Sequence, residues 1–214
     1  MAAAPDPRNM IAQKDRLRRR AYDARNAQAE KDRLSRQAIA SLLRLPEYQA
    51  ARTVMWYVDC RSELRTRHDL PAALASDKRI VVPYCRSDAS GNPQLGLWLL
   101  ESVDELVVGK WQILEPPCER WSEPAKSIQP AELDVVIVPG VAFSRVGGRI
   151  GNGQGYYDRL LVKTRSDCWR VALCYECQLF DDLAVDAHDV FMDRIVTEFE
   201  VYRGPDRPRD RFTL

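Results

Sequence analysis

DVVIVPGVAFSRVGGRIGNGQGYYDRLL, residues 134–161, decides the fold. The run DVVIVPG reads as a strand that stops at Pro139 and Gly140. Glycines follow at 148, 151, 153 and 155, where positive φ angles and close backbone approach are allowed. Residues 156–163 then have helical character, with Asp158 in the first turns.

The same texture extends outward in both directions. TVMWYV, RIVVPYC and LGLWLLE precede this stretch, and WRVALCY and RIVTEFEVY follow it, each a short β-rich run set between helical stretches. Strands alternating with helices predict a three-layer α/β/α fold with a largely parallel central sheet. Residues 10–27 and 31–45 read as two helices, the second with Leu34, Ala38, Leu42 and Leu43 at helical spacing before Pro46. The expected organisation is one domain over residues 1–214, with a charged N-terminal helical arm over 1–45 and an α/β core over 52–203. Four prolines between Glu115 and Pro130 predict a surface loop, and the tail after Gly204 is expected to fray.

Composition narrows the class. The chain is 45% hydrophobic and 29% charged, ordinary for a globular protein. Its 32 basic and 31 acidic residues leave a net charge of +1, so no global field draws it to nucleic acid or an anionic membrane. The N-terminal region lacks the apolar stretch of a secretory signal, and no run reaches the length of a membrane span, which predicts a cytoplasmic protein. Six cysteines are expected as free thiols. Cys174 and Cys177 have C-x-x-C spacing inside a strand-like run, where residues three apart point to opposite faces and no second pair completes a zinc site.

Backbone N–H groups converging before a helix form an anion-binding concavity suited to phosphate. No Gly-Lys-Ser/Thr closes the loop, and the spacing of Gly151, Gly153 and Gly155 is one residue short of the dinucleotide fingerprint. A P-loop NTPase and a Rossmann dehydrogenase are therefore disfavoured. Taken alone, the glycine stretch also fits a plain flexible turn.

The tyrosines and the aspartate sharpen it. R-I-G-N-G-Q-G-Y-Y-D behind a strand ending in V-P-G-x-x-F resembles the signature of the 5-formyltetrahydrofolate cyclo-ligase family, also called methenyltetrahydrofolate synthetase. Further blocks resemble that family in order: Lys14, Leu17 and Arg18; Tyr57, Val58, Glu63 and Thr66; a V-P-Y strand; Trp111 in KWQILEP; Glu176 and Gln178; and the run from His188 to Glu198.

The resemblance implies an ATP- and Mg²⁺-dependent ring closure of 5-formyltetrahydrofolate to 5,10-methenyltetrahydrofolate. It assigns ATP to Lys14, Arg18 and the loop of Arg149, Ile150, Gly151, Asn152, Gly153, Gln154, Gly155, Tyr156 and Tyr157. The folate falls to Arg18, Val58, Glu63 and Trp111, with residues 152–156 near both substrates. Tyr156, Arg149 and Asp158 are expected at the transfer, and Asp158 and Asp189 are expected to hold Mg²⁺, a cation that prefers carboxylates and phosphate oxygens.

Each residue also has an ordinary reading. Lys14 and Arg18, one turn apart, fit a solvated basic helix; Val58 and Glu63, strand and loop residues; Trp111 and Tyr156, packing aromatics; Asp158, a carboxylate favouring its helix dipole; Asp189, one more charge in an acidic run. His188 is expected to be structural. Ser144, Asn152 and Gln154 depart from the family's usual residues and leave the loop with less positive charge. Two rivals remain open: a diverged binder of folate or another formylated heterocycle, and a nucleic-acid module built on the Arg-rich helix. The expected state is a monomer or small homo-oligomer with small-molecule substrates.

Overall fold

The computed structural model describes residues 7–183 and 189–208, so the role expected of His188 lies outside the described residues. Helices α1 (Pro7–Ala27), α2 (Lys31–Leu43) and α3 (Pro46–Ala50) lead into β1 (Thr53–Met55). Then come α4 (Leu70–Leu74), β2 (Arg79–Ser87), β3 (Pro93–Leu100) and a small hairpin of β4 (Val107–Val108) and β5 (Leu114–Glu115). Strand β6 (Val135–Val138), a second hairpin of β7 (Ala142–Phe143) and β8 (Arg149–Ile150), and α5 (Tyr156–Leu161) follow. The chain closes with β9 (Trp169–Leu173), β10 (Arg194–Val196) and β11 (Val201–Arg203).

Seven strands form one sheet in the order β11-β10-β9-β6-β1-β2-β3. The five from β10 to β2 run parallel, and β3 and β11 pair antiparallel at the two edges. Alternate residues feed opposite faces. Val54, Val82, Val135, Ile137 and Leu173 pack beside Leu34, Ala38, Ile39 and Leu42 of α2. Met55, Val81, Val136, Val138 and Ala172 pack on the other face with Leu160 and Leu161 of α5. The expected three layers are present.

The two N-terminal helices do different work. The apolar stripe of α2 forms a core layer, and the helix stops at Leu43 because Pro46 disfavours helical backbone before it. The apolar residues that helix α1 buries among the described ones are Leu17 and Ala21, against Val141, Ala142 and Ile150 around the β7–β8 hairpin. That contact brings its polar face to the ends of the parallel strands.

Three local expectations are corrected. RIVTEFEVY is two strands, because the Thr197 hydroxyl accepts from Phe199 N and Glu200 N and the chain reverses without glycine or proline. The helix after the glycine loop ends at Leu161. The chain after Gly204 is anchored at Arg207, whose Nε and Nη2 donate to the two oxygens of Asp193, which is 2% exposed. The proline-rich stretch is a loop, stiffened by single 3₁₀ turns at Cys118–Arg120, Pro124–Lys126 and Pro130–Glu132.

After β1 the chain first builds β2 and β3 on one side, then places β6 and its successors on the other. Strand order therefore reverses beside β1, and a crevice opens at the carboxyl ends of β1 and β6, where open α/β sheets bind ligands.

Candidate active site

That crevice is a cavity of about 610 Å³. One wall is the turn after β1. Asp59 fixes its shape by accepting from Thr66 N at 2.9 Å and Arg67 N at 2.8 Å, while the Thr66 hydroxyl donates to the Tyr57 carbonyl at 2.6 Å. The Tyr57 hydroxyl donates to the Leu64 carbonyl at 2.9 Å. These bonds explain why tyrosine and threonine flank Val58 and Glu63, both of which face the cavity. Opposite lie Pro139 and Gly140, where the buried Gln178 amide donates to the Gly140 and Val141 carbonyls at 3.0 Å each and braces the exit of β6.

The glycine loop forms the floor. The β7–β8 hairpin delivers it: the Ser144 hydroxyl accepts from Gly148 N at 2.9 Å, so this departure from the family pattern still closes the turn. Gly153 and Gly155 have φ of +88° and +66°, which side chains beyond glycine adopt at a cost. Gly155 caps the six-residue α5, and Gly151 offers its carbonyl to Arg18 Nε at 2.9 Å.

Charges pair across the cavity. Lys14 Nζ meets Asp189 Oδ2 at 2.8 Å, and Arg149 Nη2 meets Asp158 Oδ1 at 2.6 Å. The Arg149 side chain is 4% exposed, donates from Nη1 to the Pro139 carbonyl at 3.4 Å, and leaves Nε without a hydrogen-bond partner among the described residues. Asp158 is more open, with 43% of its side chain exposed. Asp158 and Asp189 thus sit in the same cavity, each already holding one cation. Among the described residues no group of three or more His, Cys, Asp or Glu side chains converges on one point.

Aromatic rings close the remaining sides. Trp111 stands on the β4–β5 hairpin, 44% exposed, with a left-handed backbone at φ 59° and its ring edge-on to Tyr156 at 6.3 Å between centroids. Arg149 lies over the Tyr157 ring at 5.8 Å. Burial raises the Tyr157 hydroxyl well above its ordinary pKa, and burial followed by the nearby Cys85 raises that of Tyr156, so both phenols stay protonated at neutral pH. The Glu63 carboxyl is also raised, by burial first, against the opposing pull of Arg25 and of the Cys60 N–H.

All sixteen positions proposed from sequence, from Lys14 to Asp189, line this one cavity. Residues 10–198 match the 5-formyltetrahydrofolate cyclo-ligase family. The chain belongs to that family. Among curated cyclo-ligases it is 34% identical to one from Mycolicibacterium smegmatis, over 69% of this chain and 74% of the relative. It is 30% identical to the Escherichia coli K12 cyclo-ligase, over 77% of this chain and 88% of the relative. The solved 5,10-methenyltetrahydrofolate synthetase of Aquifex aeolicus superposes with a TM-score of 0.73 at 32% identity, over 94% of this chain and 99% of that one. A Mycoplasma pneumoniae synthetase shares the fold, with a TM-score of 0.66 at 23% identity.

The cyclo-ligase motifs did not reveal every residue in or behind the cavity wall. Tyr22 donates to Asn152 Oδ1, and Arg25 lies behind the wall bearing Glu63. Both were detectable, since positions 14, 18, 22 and 25 fall on one face of a helix. Glu115, 8% exposed, and Cys85 join the wall through the β2–β5 contact, a tertiary pairing that leaves no local sequence signal.

Proposed function

We propose that this cavity closes 5-formyltetrahydrofolate to 5,10-methenyltetrahydrofolate, with ATP converted to ADP and phosphate. The observation that carries it is the meeting of the glycine loop with Val58, Glu63 and Trp111 in one cavity at the strand-order reversal.

A formamide oxygen is a poor leaving group. Transfer of the terminal phosphoryl group of ATP to that oxygen turns it into phosphate; the neighbouring folate nitrogen then attacks the formyl carbon, loses its proton, and phosphate departs. Such chemistry asks the protein mainly for positioning and charge neutralisation. Lys14, Arg18 and Arg149 supply the charge, and the loop from Ile150 to Gly155 lets backbone amides approach the phosphates. Tyr156 and Tyr157, held protonated, can donate to phosphoryl oxygens. Glu63 accepts hydrogen bonds from the N–H edge of the pterin, and Trp111 covers its ring.

Magnesium fits the donor set, because Asp158 Oδ2 has no hydrogen-bond partner among the described residues and Asp189 faces the same space. These two carboxylates would hold the ion, which when bound supplies positive charge to the phosphates. Six free cysteines suit a reducing compartment such as the cytoplasm. Among the described residues no helix is long and apolar enough to cross a membrane. Purified protein incubated with 5-formyltetrahydrofolate, ATP and Mg²⁺ should generate the methenyl product, followed by its absorbance. Folded protein giving no product above background would remove the proposal.

A further inference from the structure

Arg25 sits in the last turn of α1 and is 3% exposed. Its Nε donates to Ser62 Oγ at 3.1 Å, its Nη1 donates to the Gly140 carbonyl at 3.2 Å, and its guanidinium lies over the Tyr22 ring at 5.0 Å. All three partners are neutral, and no carboxylate among the described residues is ion-paired with it. A guanidinium withdrawn from water without a counter-ion is costly, and an apolar or neutral side chain would fill the space more cheaply. Its charge therefore calls for a second reason.

The reason lies one residue beyond Ser62. Glu63 faces the cavity, and its Oε2 accepts from Cys60 N at 3.1 Å. Burial works against its charge, and among the influences that favour that charge Arg25 is the largest, ahead of the Cys60 N–H and thiol. Asp59 on the same turn opposes it, and Tyr57 beside β1 and Tyr157 on α5 are the phenols within reach of its field. A carboxylate accepts from two pterin N–H groups, whereas a protonated carboxyl turns a hydrogen toward one of them.

We propose that Arg25 is a positioning residue for the pterin end of the folate: from behind the cavity wall it steadies Glu63 as an anion and, through Ser62 and Gly140, ties the exits of β1 and β6 together. This rests on Glu63 as a folate contact. Arg25 is not part of the cavity wall, so it acts through its neighbours.

Two substitutions separate charge from packing. Arg25→Gln keeps hydrogen-bonding capacity and loses the charge; Arg25→Lys keeps the charge. For Arg25→Gln the folate KM should rise about tenfold at neutral pH, while kcat and the ATP KM change less than about twofold. The acid limb of kcat/KM for folate should move to higher pH. Arg25→Lys should hold the folate KM within about threefold of wild type, and in a Glu63→Gln background Arg25→Gln should add little. The Glu63 carboxyl, followed by ¹³C NMR and assigned with Glu63→Gln, should titrate at higher pH in Arg25→Gln.

An unmoved Glu63 titration, or equal rises in both KM values, overturns the proposal. If Arg25→Gln fails to fold, Arg25→Lys decides alone: a folate KM raised as much as the ATP KM rejects a charge-based role. Absence of wild-type turnover would count against the cyclo-ligase function instead, and the NMR titration would still test the link between Arg25 and Glu63.

Discussion

Arg149 Nη2 donates to Asp158 Oδ1 at 2.6 Å across the glycine loop that separates them in sequence. Lys14 and Asp189 make the matching pair from the other side of the cavity. Polyphosphate and its cation would have to exchange partners with both pairs on entry. Asp158→Asn should therefore lower turnover on the order of 100-fold while the folate affinity survives. Asp189→Asn should behave alike, and raising Mg²⁺ should partly rescue either single variant but not the double. Normal turnover with unchanged Mg²⁺ dependence in Asp158→Asn would show that this carboxylate serves only Arg149.

Trp111 is exposed on a hairpin that lines the cavity, its ring nearly perpendicular to that of Tyr156. Stacking adds about 1 kcal/mol beyond area burial, so Trp111→Ala should raise the folate KM about fivefold. The ATP KM should change much less. Equal effects on both would identify a structural tryptophan.

Glu63 carries a pH signature in stability. Its folded pKa is raised above the unfolded value, so the native state binds this proton more tightly than the unfolded chain does. The penalty for ionising it is absent below the unfolded value, about 4.3, and develops as pH rises through the folded one. Glu63→Gln should match the wild-type melting temperature in acid and exceed it at neutral pH. A gap that stays constant with pH would contradict the assigned shift.

Asp193 is buried and held by both Arg207 nitrogens, with Arg170 N donating to its Oδ2 at 2.8 Å. Breaking one side of such a pair costs about 3 kcal/mol or more, because the partner charge stays buried. Arg207→Ala should lower the denaturant midpoint accordingly while leaving both KM values near wild type. A loss under about 0.5 kcal/mol would return this tail to the frayed state expected from its composition.

The strands and the loop were legible because β6 and the glycines after it change texture within a few residues. The end of β10 was not, since Thr197 makes a turn with its hydroxyl in a run that reads as uninterrupted strand. Arg207 was hidden for a related reason: an arginine in a charged tail shows its partner only once β10 presents Asp193. In the site, Lys14, Arg18, Glu63 and Trp111 were found by resemblance, and their charge or aromaticity alone fits a surface helix or core packing equally well. Tyr22 and Arg25 were within reach of helical periodicity. Cys85 and Glu115 required the β2–β5 contact, which only the folded chain supplies.

The reversal of strand order beside β1 also dictates a sequence of events in folding. Val54 of β1 pairs with Ile80, a separation of 26 residues, but with Val135 across 81. Loop closure disfavours the second pairing, and non-local parallel strands form slowly. On a growing chain β1, β2 and β3 can associate while β1 still has an unpaired edge, a surface on which another nascent copy could dock. Pulsed hydrogen exchange should protect the β1–β2 amides before those shared with β6. The crevice cannot exist until that edge is filled, so a chain stalled before residue 135 would carry the wall after β1 without its glycine-loop floor.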